Sequence, residues 1–474
     1  MIQFLLNQQP IRLEKIDPNQ TVLNWLRRDI RRCGTKEGCA SGDCGACTVV
    51  VASAQDGKMH YQSTNSCLLL VGQLHGKQLI TVEGLADDGQ LHPVQQAMAC
   101  GHASQCGFCT PGIVMSTFAM QKNGAEATTD TVAHHLGGNL CRCTGYRPVV
   151  DAALQALASP DEDSFRLQEA DTVQALQAIN TSHAEESNWF APETLDELAE
   201  IYARHPQARL LAGGTDLNLL ITQAHQRFEQ VISLQQVSDL QGINSDGTRL
   251  EIGAATSLTQ CQQQLHHVLP VFSEMLDRFA SRQIRNQGTL GGNLANASPI
   301  GDCAPALLAM DARLRLRCGS VTREVALSEF FTGYRQTVLT SGEFITHILI
   351  DDVTLSRNLR LWKVSKRRED DISTVFGAIN LELSDETVTR ARVAFGGMAA
   401  VPARASMCEA ALKGKPFNTE TLKLACEALA KDFAPLSDAR ASSDYRLQVA
   451  QNLLKRYFLQ HQTVSAVEVS EYVG

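Results

Sequence analysis

The chain has 474 residues, and its fifteen cysteines are the first whose type and spacing could do chemistry. Cys39, Cys44 and Cys47 sit in Gly-Cys-Ala-Ser-Gly-Asp-Cys-Gly-Ala-Cys, and Cys67 follows after a gap long enough for a hairpin. The pattern C-x4-C-x2-C…C is the spacing of plant-type [2Fe–2S] sites. Such a loop must wrap thiolates around two irons while aiming backbone N–H groups at the sulfurs. Gly38, Gly42 and Gly45 supply the tight or left-handed turns that this requires. Zinc is the competing reading, although it more often takes paired C-x2-C knuckles.

A second group, Gln-Cys106-Gly-Phe-Cys109-Thr-Pro-Gly with Asn-Leu-Cys141-Arg-Cys143-Thr-Gly-Tyr, reads C-x2-C followed by C-x-C. Four thiolates again suffice for one [2Fe–2S] cluster, and taken alone this pattern also suits zinc. Cys33, Cys100, Cys261, Cys303, Cys318, Cys408 and Cys426 share no ligand spacing, and isolated cysteines of this kind read as small buried hydrophobes. The pairs His134-His135 and His266-His267 have no further ligands beside them and read as structural or solvated.

Two glycine-rich stretches carry a different chemistry. Arg-Leu-Leu-Ala-Gly-Gly-Thr-Asp-Leu, residues 209–217, reads as a strand entering a Gly-Gly turn before a helix at Leu217–Gln223. Such a turn lets backbone N–H groups, with the Thr215 hydroxyl, reach a diphosphate. Gly-Thr-Leu-Gly-Gly-Asn-Leu-Ala-Asn-Ala-Ser-Pro-Ile-Gly-Asp, residues 288–302, concentrates small residues that let the chain lie close to a bulky planar cofactor. Neither stretch fits G-x-G-x-x-G, so NAD held in a Rossmann domain is not indicated.

The elements that must position these residues are legible in outline. Residues 2–6 and 11–16 predict a hairpin, Thr21 a cap for a helix burying Val22, Leu23, Leu26 and Ile30, and Cys47-Thr-Val-Val-Val-Ala a further strand, in β-grasp order. Around the second cysteine group, Pro93, Pro111 and Pro148 stand where first helical residues would, with Thr110 as cap before Pro111. Gly137 ends a helix through Thr131–Leu136, and Val149, Val150, Ala153, Leu154 and Leu157 form an apolar face, giving four short helices. Residues 159–188 are polar and read as a linker, and a new domain starts near Trp189.

Composition bounds the function. The length predicts three or four units, and 44% hydrophobic residues give each a normal core. With 42 Lys+Arg against 51 Asp+Glu, the net charge of −9 offers no footprint for nucleic acid. The apolar run Phe4-Leu5-Leu6 is far shorter than a signal-peptide core and no stretch approaches a membrane span, so the expectation is a cytoplasmic protein without membrane attachment.

The two cysteine segments together resemble the N-terminal half of the xanthine dehydrogenase family of molybdenum hydroxylases, with all eight ligand positions filled. The glycine-rich stretches resemble that family's FAD-binding domain, of the vanillyl-alcohol-oxidase-like fold. Residues 330–335, 367–372 and 394–399 resemble its flavin-edge loop and C-terminal flavoprotein domain. The resemblance implies an α+β multidomain chain. Its parts are a β-grasp 2Fe–2S ferredoxin domain at 1–85, a four-helix 2Fe–2S domain at 86–158, the linker, an FAD-binding domain at 189–352, and an α+β domain like the CO dehydrogenase flavoprotein C-terminus at 353–474.

It further implies that Leu210, Leu211, Ala212, Gly213, Gly214, Thr215, Asp216 and Leu217, with Thr289, Leu290, Gly291, Gly292 and Asn293, hold the FAD phosphates and ribityl chain. Phe279, Asp302, Ile345 and Lys363 fall on other FAD-contacting positions, and Tyr334 and Asp370 near where nicotinamide docks. Without the resemblance, Arg367–Asp371 reads as a solvated charged loop. No residue range is left for a molybdenum site, so the resemblance implies a molybdenum-cofactor partner in an (αβ)₂ assembly. Electrons from hypoxanthine or xanthine would pass to NAD⁺ with no catalytic base on this chain. The alternatives are the same subunit of an aldehyde, nicotinate or carbon monoxide hydroxylase, a free-standing NADH diaphorase, and a redox sensor without flavin.

Overall fold

A computed structural model describes residues 1–87, 89–159, 162–179 and 188–462. They form two compact units, one from residues 1–238 with 280–288 and the other from 239–279 with 289–474.

The first unit opens with the antiparallel hairpin Ile2–Leu6 and Gln9–Leu13, in register from Ile2↔Leu13 to Leu6↔Gln9. The second strand begins two residues before the predicted 11–16 because Asn7, in the left-handed region at φ +55°, closes a two-residue turn. The sheet runs Gln9–Leu13, Ile2–Leu6, Gln78–Ile80, Thr48–Gln55, Lys58–Asn65, with Ile2–Leu6 parallel to Gln78–Ile80. Thr21 Oγ1 accepts the Asn24 amide and starts Val22–Asn24, continued in wider turns by Trp25–Asp29. Val22, Leu23, Trp25 and Leu26 are buried, the Trp25 ring edge-on to Phe4 at 5.4 Å.

Four helices follow, Pro93–Cys100, Thr110–Lys122, Thr129–Leu136 and Arg147–Leu157, three of them with proline in the first turn. Thr110–Lys122 is buried on every side from Gly112 to Gln121, as expected of a helix apolar all round. Thr110 does not cap it. The cap position is Cys109, because the cysteine loop turns directly into the helix, and the Thr110 hydroxyl instead bonds Ser104 Oγ at 2.8 Å.

The stretch read as a linker carries the helices Ser164–Leu167 and Glu169–Gln177. Polarity hid three apolar residues. Phe165, Val173 and Leu176 are buried in the helical core, with Phe165 edge-on to Phe118 at 5.1 Å. Asp163 fastens the stretch: it caps Ser164–Leu167 through the Arg166 amide, accepts from Lys122 Nζ at 2.9 Å and lies 2.8 Å from His92 Nε2. Residues 160–161 and 180–187 of that stretch, and 463–474 of the expected C-terminal domain, lie outside the described residues.

Hydrogen bonds from His92, Lys122 and the Arg166 amide outweigh burial, which alone would raise the Asp163 carboxyl, and hold it well below the usual carboxylate range. A carboxyl depressed in the folded state contributes stability above its unfolded pKa of about 3.9 and loses it as pH falls through the lower folded value. Asp163→Asn is therefore expected to cost about 3 kcal/mol at neutral pH and to flatten the acid limb below about pH 4, read by urea unfolding against pH.

The unit continues with the parallel strands Trp189–Phe190, Val231–Ser233 and Arg209–Leu211, and with the helix Leu195–Arg204, capped by Thr194. The short helix Arg282–Gln287, capped by Ser281, belongs to it as well.

In the second unit, a five-stranded antiparallel sheet runs Val321–Ala326, Arg313–Cys318, Phe344–Ile350, Leu250–Gly253, Ile243–Ser245. It packs on Pro270–Asp277, Leu290–Ala295 and Cys303–Leu308 through Phe272, Leu290, Leu307 and Ile348. A four-stranded antiparallel sheet, Arg360–Val364, Val375–Ser384, Thr387–Gly396 and Ala403–Arg404, is covered by Ser406–Leu412, Thr419–Asp432 and Ser443–Gln462. Among the described residues no helix is long and apolar enough to cross a membrane.

Candidate functional site

The first cysteine loop bends at Gly42 and Gly45, with φ +84° and +69°. Gly38 is required by space, since a Cβ there would stand 2.7 Å from Cys44 Sγ. Amides of Ser41, Asp43 and Cys44 point at Cys39 Sγ from 3.4, 3.3 and 3.3 Å. The Cys44 thiol and the Ser41 and Cys44 amides prevail over burial and draw Cys39 down to about 4, while Cys44 is pushed up by that shared hydrogen bond and by burial. Buried Cys47 and Cys67 form a second such pair.

In the other loop Cys143 Sγ lies 3.7 Å from Cys106 Sγ, and Cys109 pairs with Cys141. Cys141 Sγ is 3.2 Å from Thr144 Oγ1, and its amide donates to Tyr146 Oη at 2.9 Å. The eight thiols thus stand as four pairs, two in each loop. Among the described residues no three His, Cys, Asp or Glu side chains gather to hold a single ion. Two pairs per loop fit four thiolates sharing two irons better than four closing on one zinc.

The two loops touch. The Leu140 amide, next to Cys141, donates to the Cys44 carbonyl at 3.0 Å. A Cβ on Gly112 would collide with the Gly45 carbonyl oxygen, and one on Gly45 with the Gly138 carbonyl oxygen. Away from this seam, Cys106 and Cys143 are exposed beside Phe108, Leu140 and Tyr146, which are 47%, 43% and 39% exposed. The far flank of the first loop is covered. Gln223 Nε2 donates to the Cys39 and Ala40 carbonyls at 3.2 and 2.9 Å, Asn218 Nδ2 to the Leu68 carbonyl at 2.7 Å, and Leu219 and Ile284 pack on Cys47, Cys67 and Leu68.

Residues 210–217 lie in the first unit; Phe279, 289–293, Asp302, Tyr334, Ile345, Lys363 and Asp370 lie in the second. Gly214 has φ +77°, and Gly213 lies too close to the Gln287 carbonyl to bear a side chain. Among the described residues the amides of Gly213, Gly214 and Thr215 find no acceptor. Three consecutive unpaired N–H groups in a turn with one left-handed residue make a concavity suited to a diphosphate. The helix begins at Leu219, not Leu217, and Asn218, just before it, donates through its side chain to the Leu68 carbonyl.

In the second unit the Leu290 and Gly291 amides are taken by the Thr256 and Ala254 carbonyls, and the Gly292 amide by Thr289 Oγ1. In this stretch the group left to meet a cofactor is Asn293, whose buried Oδ1 has no donor among the described residues. Lys363 Nζ lies 2.6 Å from Asp302 Oδ2, and Ser373 Oγ donates to Asp302 Oδ1 at 2.6 Å, all three buried or nearly so. Phe279 and Ile345 pack on the unit's core. Tyr334 is 62% exposed, and Asp370 has φ +47° in the exposed loop where the Arg367 amide donates to Asp371.

Sequence reasoning did not single out Asn139, Asn218, Gln223 or Gln283, all of which brace the cysteine loops. Only Asn139 carried a local signal, its place two residues before Cys141. His134 bonds Arg285 at 3.2 Å, in keeping with a structural reading.

Four family models match in succession. They are the 2Fe–2S iron–sulfur cluster binding domain at 4–72, the [2Fe–2S] binding domain at 81–154, the FAD binding domain in molybdopterin dehydrogenase at 183–350, and the CO dehydrogenase flavoprotein C-terminal domain at 360–461. Xanthine dehydrogenase of Emericella nidulans is 34% identical over 98% of this chain and 39% of its own length; that of Drosophila subobscura is 32% identical over 90% and 37%. The chain spans less than two-fifths of these relatives. Among solved structures, a carbon monoxide dehydrogenase chain from Hydrogenophaga pseudoflava has TM-score 0.54 and 28% identity over 56% of this chain and 94% of its own. Quinoline 2-oxidoreductase from Pseudomonas putida 86 has TM-score 0.53 and 26% identity over 57% and 95%.

Proposed function

Because this chain belongs to the iron–sulfur and FAD proteins of the molybdenum hydroxylase family, we propose that it carries electrons from a molybdenum-cofactor partner to FAD and on to NAD⁺. In this reading Cys106, Cys109, Cys141 and Cys143 hold the receiving cluster, and Cys39, Cys44, Cys47 and Cys67 the next. The observation that supports this order is the double attachment of the first loop. It is bonded to the second loop through Leu140 N–H and Cys44 C=O, and to the Gly-Gly turn through Asn218 and Leu68. When bound, the clusters carry one electron each and the flavin exchanges either one electron or a hydride, so one-electron flow becomes two-electron reduction.

The chain's own residues need supply no general base. The cysteines give thiolates, the loop amides give donors to them, and Gly213–Thr215, Asn293 and the Asp302–Lys363 pair give polar groups to the dinucleotide. The exposed apolar residues Phe108, Leu140 and Tyr146 around Cys106 and Cys143 suit a covering partner, in an (αβ)₂ assembly. Tyr334 and Asp370 are the proposed nicotinamide-side residues.

The proposed substrate of the partner is hypoxanthine or xanthine. The support is the joining of all four modules in one chain: the xanthine dehydrogenases match 90% of this chain or more, whereas each matched chain of the carbon monoxide and quinoline enzymes spans 56–57% of it. The purified complex is expected to reduce NAD⁺ with xanthine or hypoxanthine. Reduction by an aldehyde, nicotinate, quinoline or carbon monoxide but by neither purine would overturn the purine reading and leave the electron-carrier reading standing.

A further inference from the structure

Gln283 lies in Arg282–Gln287, within the matched FAD-binding sequence, yet its side chain is wholly buried among the iron–sulfur modules of the first unit. Its Nε2 faces Asn139 Oδ1 at 2.9 Å and Thr48 Oγ1 and Ser116 Oγ at 3.3 Å each. Three modules therefore share one amide. Gly138 leaves room for it, because a Cβ there would stand 2.5 Å from Gln283 Oε1.

Asn139 passes the constraint on. Its Oδ1 also takes the Ser116 hydroxyl at 2.7 Å, which leaves Nδ2 to donate to the Gly45 carbonyl at 3.1 Å and to Thr48 Oγ1 at 3.2 Å. The Thr48 hydroxyl donates to the same carbonyl at 2.7 Å. The neighbouring Leu140 amide donates to the Cys44 carbonyl at 3.0 Å, so Asn139 and Leu140 hold two successive carbonyls of the turn, and the Cys44 amide itself donates to Cys39 Sγ at 3.3 Å. Hydrogen bonds thus run from Gln283 through Asn139 to the turn whose Cys44 amide donates to a ligand sulfur. Such donors favour the more negative, reduced state of a cluster and raise its potential.

We propose that Gln283 is a positioning residue for the Cys39/Cys44/Cys47/Cys67 cluster. Through Asn139 it holds the Cys44–Gly45 turn with the Cys44 N–H on the Cys39 sulfur, and so sets that cluster's reduction potential relative to the other. The inference rests on the electron-carrier reading. It concerns a one-electron reduction in which no bond is made or broken, the electron coming from dithionite in the test.

The test is a redox titration of the full chain, purified anaerobically with its clusters and followed by EPR. Gln283→Leu is expected to lower the first cluster's reduction equilibrium about tenfold, about 59 mV for a one-electron couple. The second cluster should stay in place, with iron and sulfide contents unchanged. Thr48→Val, nearly isosteric and lacking the hydroxyl on the Gly45 carbonyl, should shift the same cluster in the same direction and serves if Gln283→Leu does not fold. Unchanged potentials in a folded variant would overturn the proposal, and so would an equal fall at both clusters, which marks general loosening. A wild-type chain with no reducible cluster would instead remove the electron-carrier reading itself.

Discussion

Cys141→Ser in the assembled complex is expected to erase one of the two reduced-cluster EPR signals, to halve the iron and sulfide, roughly, and to stop substrate-driven flavin reduction. NADH-driven dye reduction at the flavin should persist. Burial raises the Cys141 thiol, but hydrogen bonds from Thr144, the Cys143 amide and Cys109 prevail and hold it near 7, so the thiolate is available at neutral pH. A serine hydroxyl is not ionised there and leaves Cys109 without its partner. The loss should exceed the roughly 100-fold that removal of a supporting contact costs a metal site. Equal loss of the NADH-driven reaction, with both EPR signals intact, would remove Cys141 from the ligand set.

Gly45→Val is expected to be the most damaging single change at the seam of the two loops. A Cβ at Gly45 would collide with the Gly138 carbonyl and stand 2.6 Å from Asn139 Nδ2, and φ of +69° is strained for any branched residue. Backbone strain of about 1–3 kcal/mol adds to the steric displacement, so a loss of about 3 kcal/mol or more is expected in denaturant unfolding. The control is Gly57→Ala, at φ +75° with nothing within 4 Å of the added carbon. Strain acts there alone, and about 1 kcal/mol is expected. Similar losses for both variants would show that contact across the seam contributes nothing.

The cysteine loops were legible because closing a short loop around a metal imposes local spacing, and glycine must stand where the chain turns left-handed, as at Gly42 and Gly45. The proline-led helices were legible for a similar reason: proline suits the first turn. Local composition misled at 162–179, where three apolar side chains among polar ones suffice to dock two helices. It also missed the cap at Cys109, where the cysteine loop itself runs into the helix, and it set the start of a later helix at Leu217 instead of Leu219.

By itself the sequence determined the modules, their order and the eight thiols, since each is written in spacing within a few dozen residues. Tertiary structure alone decided how the thiols pair, that Leu140 meets Cys44, and that Gln283 reaches Asn139 across 144 positions of chain. A buried N–H is satisfied by whatever acceptor the packed core brings within about 3 Å. No local pattern records that choice, because it is made only when distant segments close on one another.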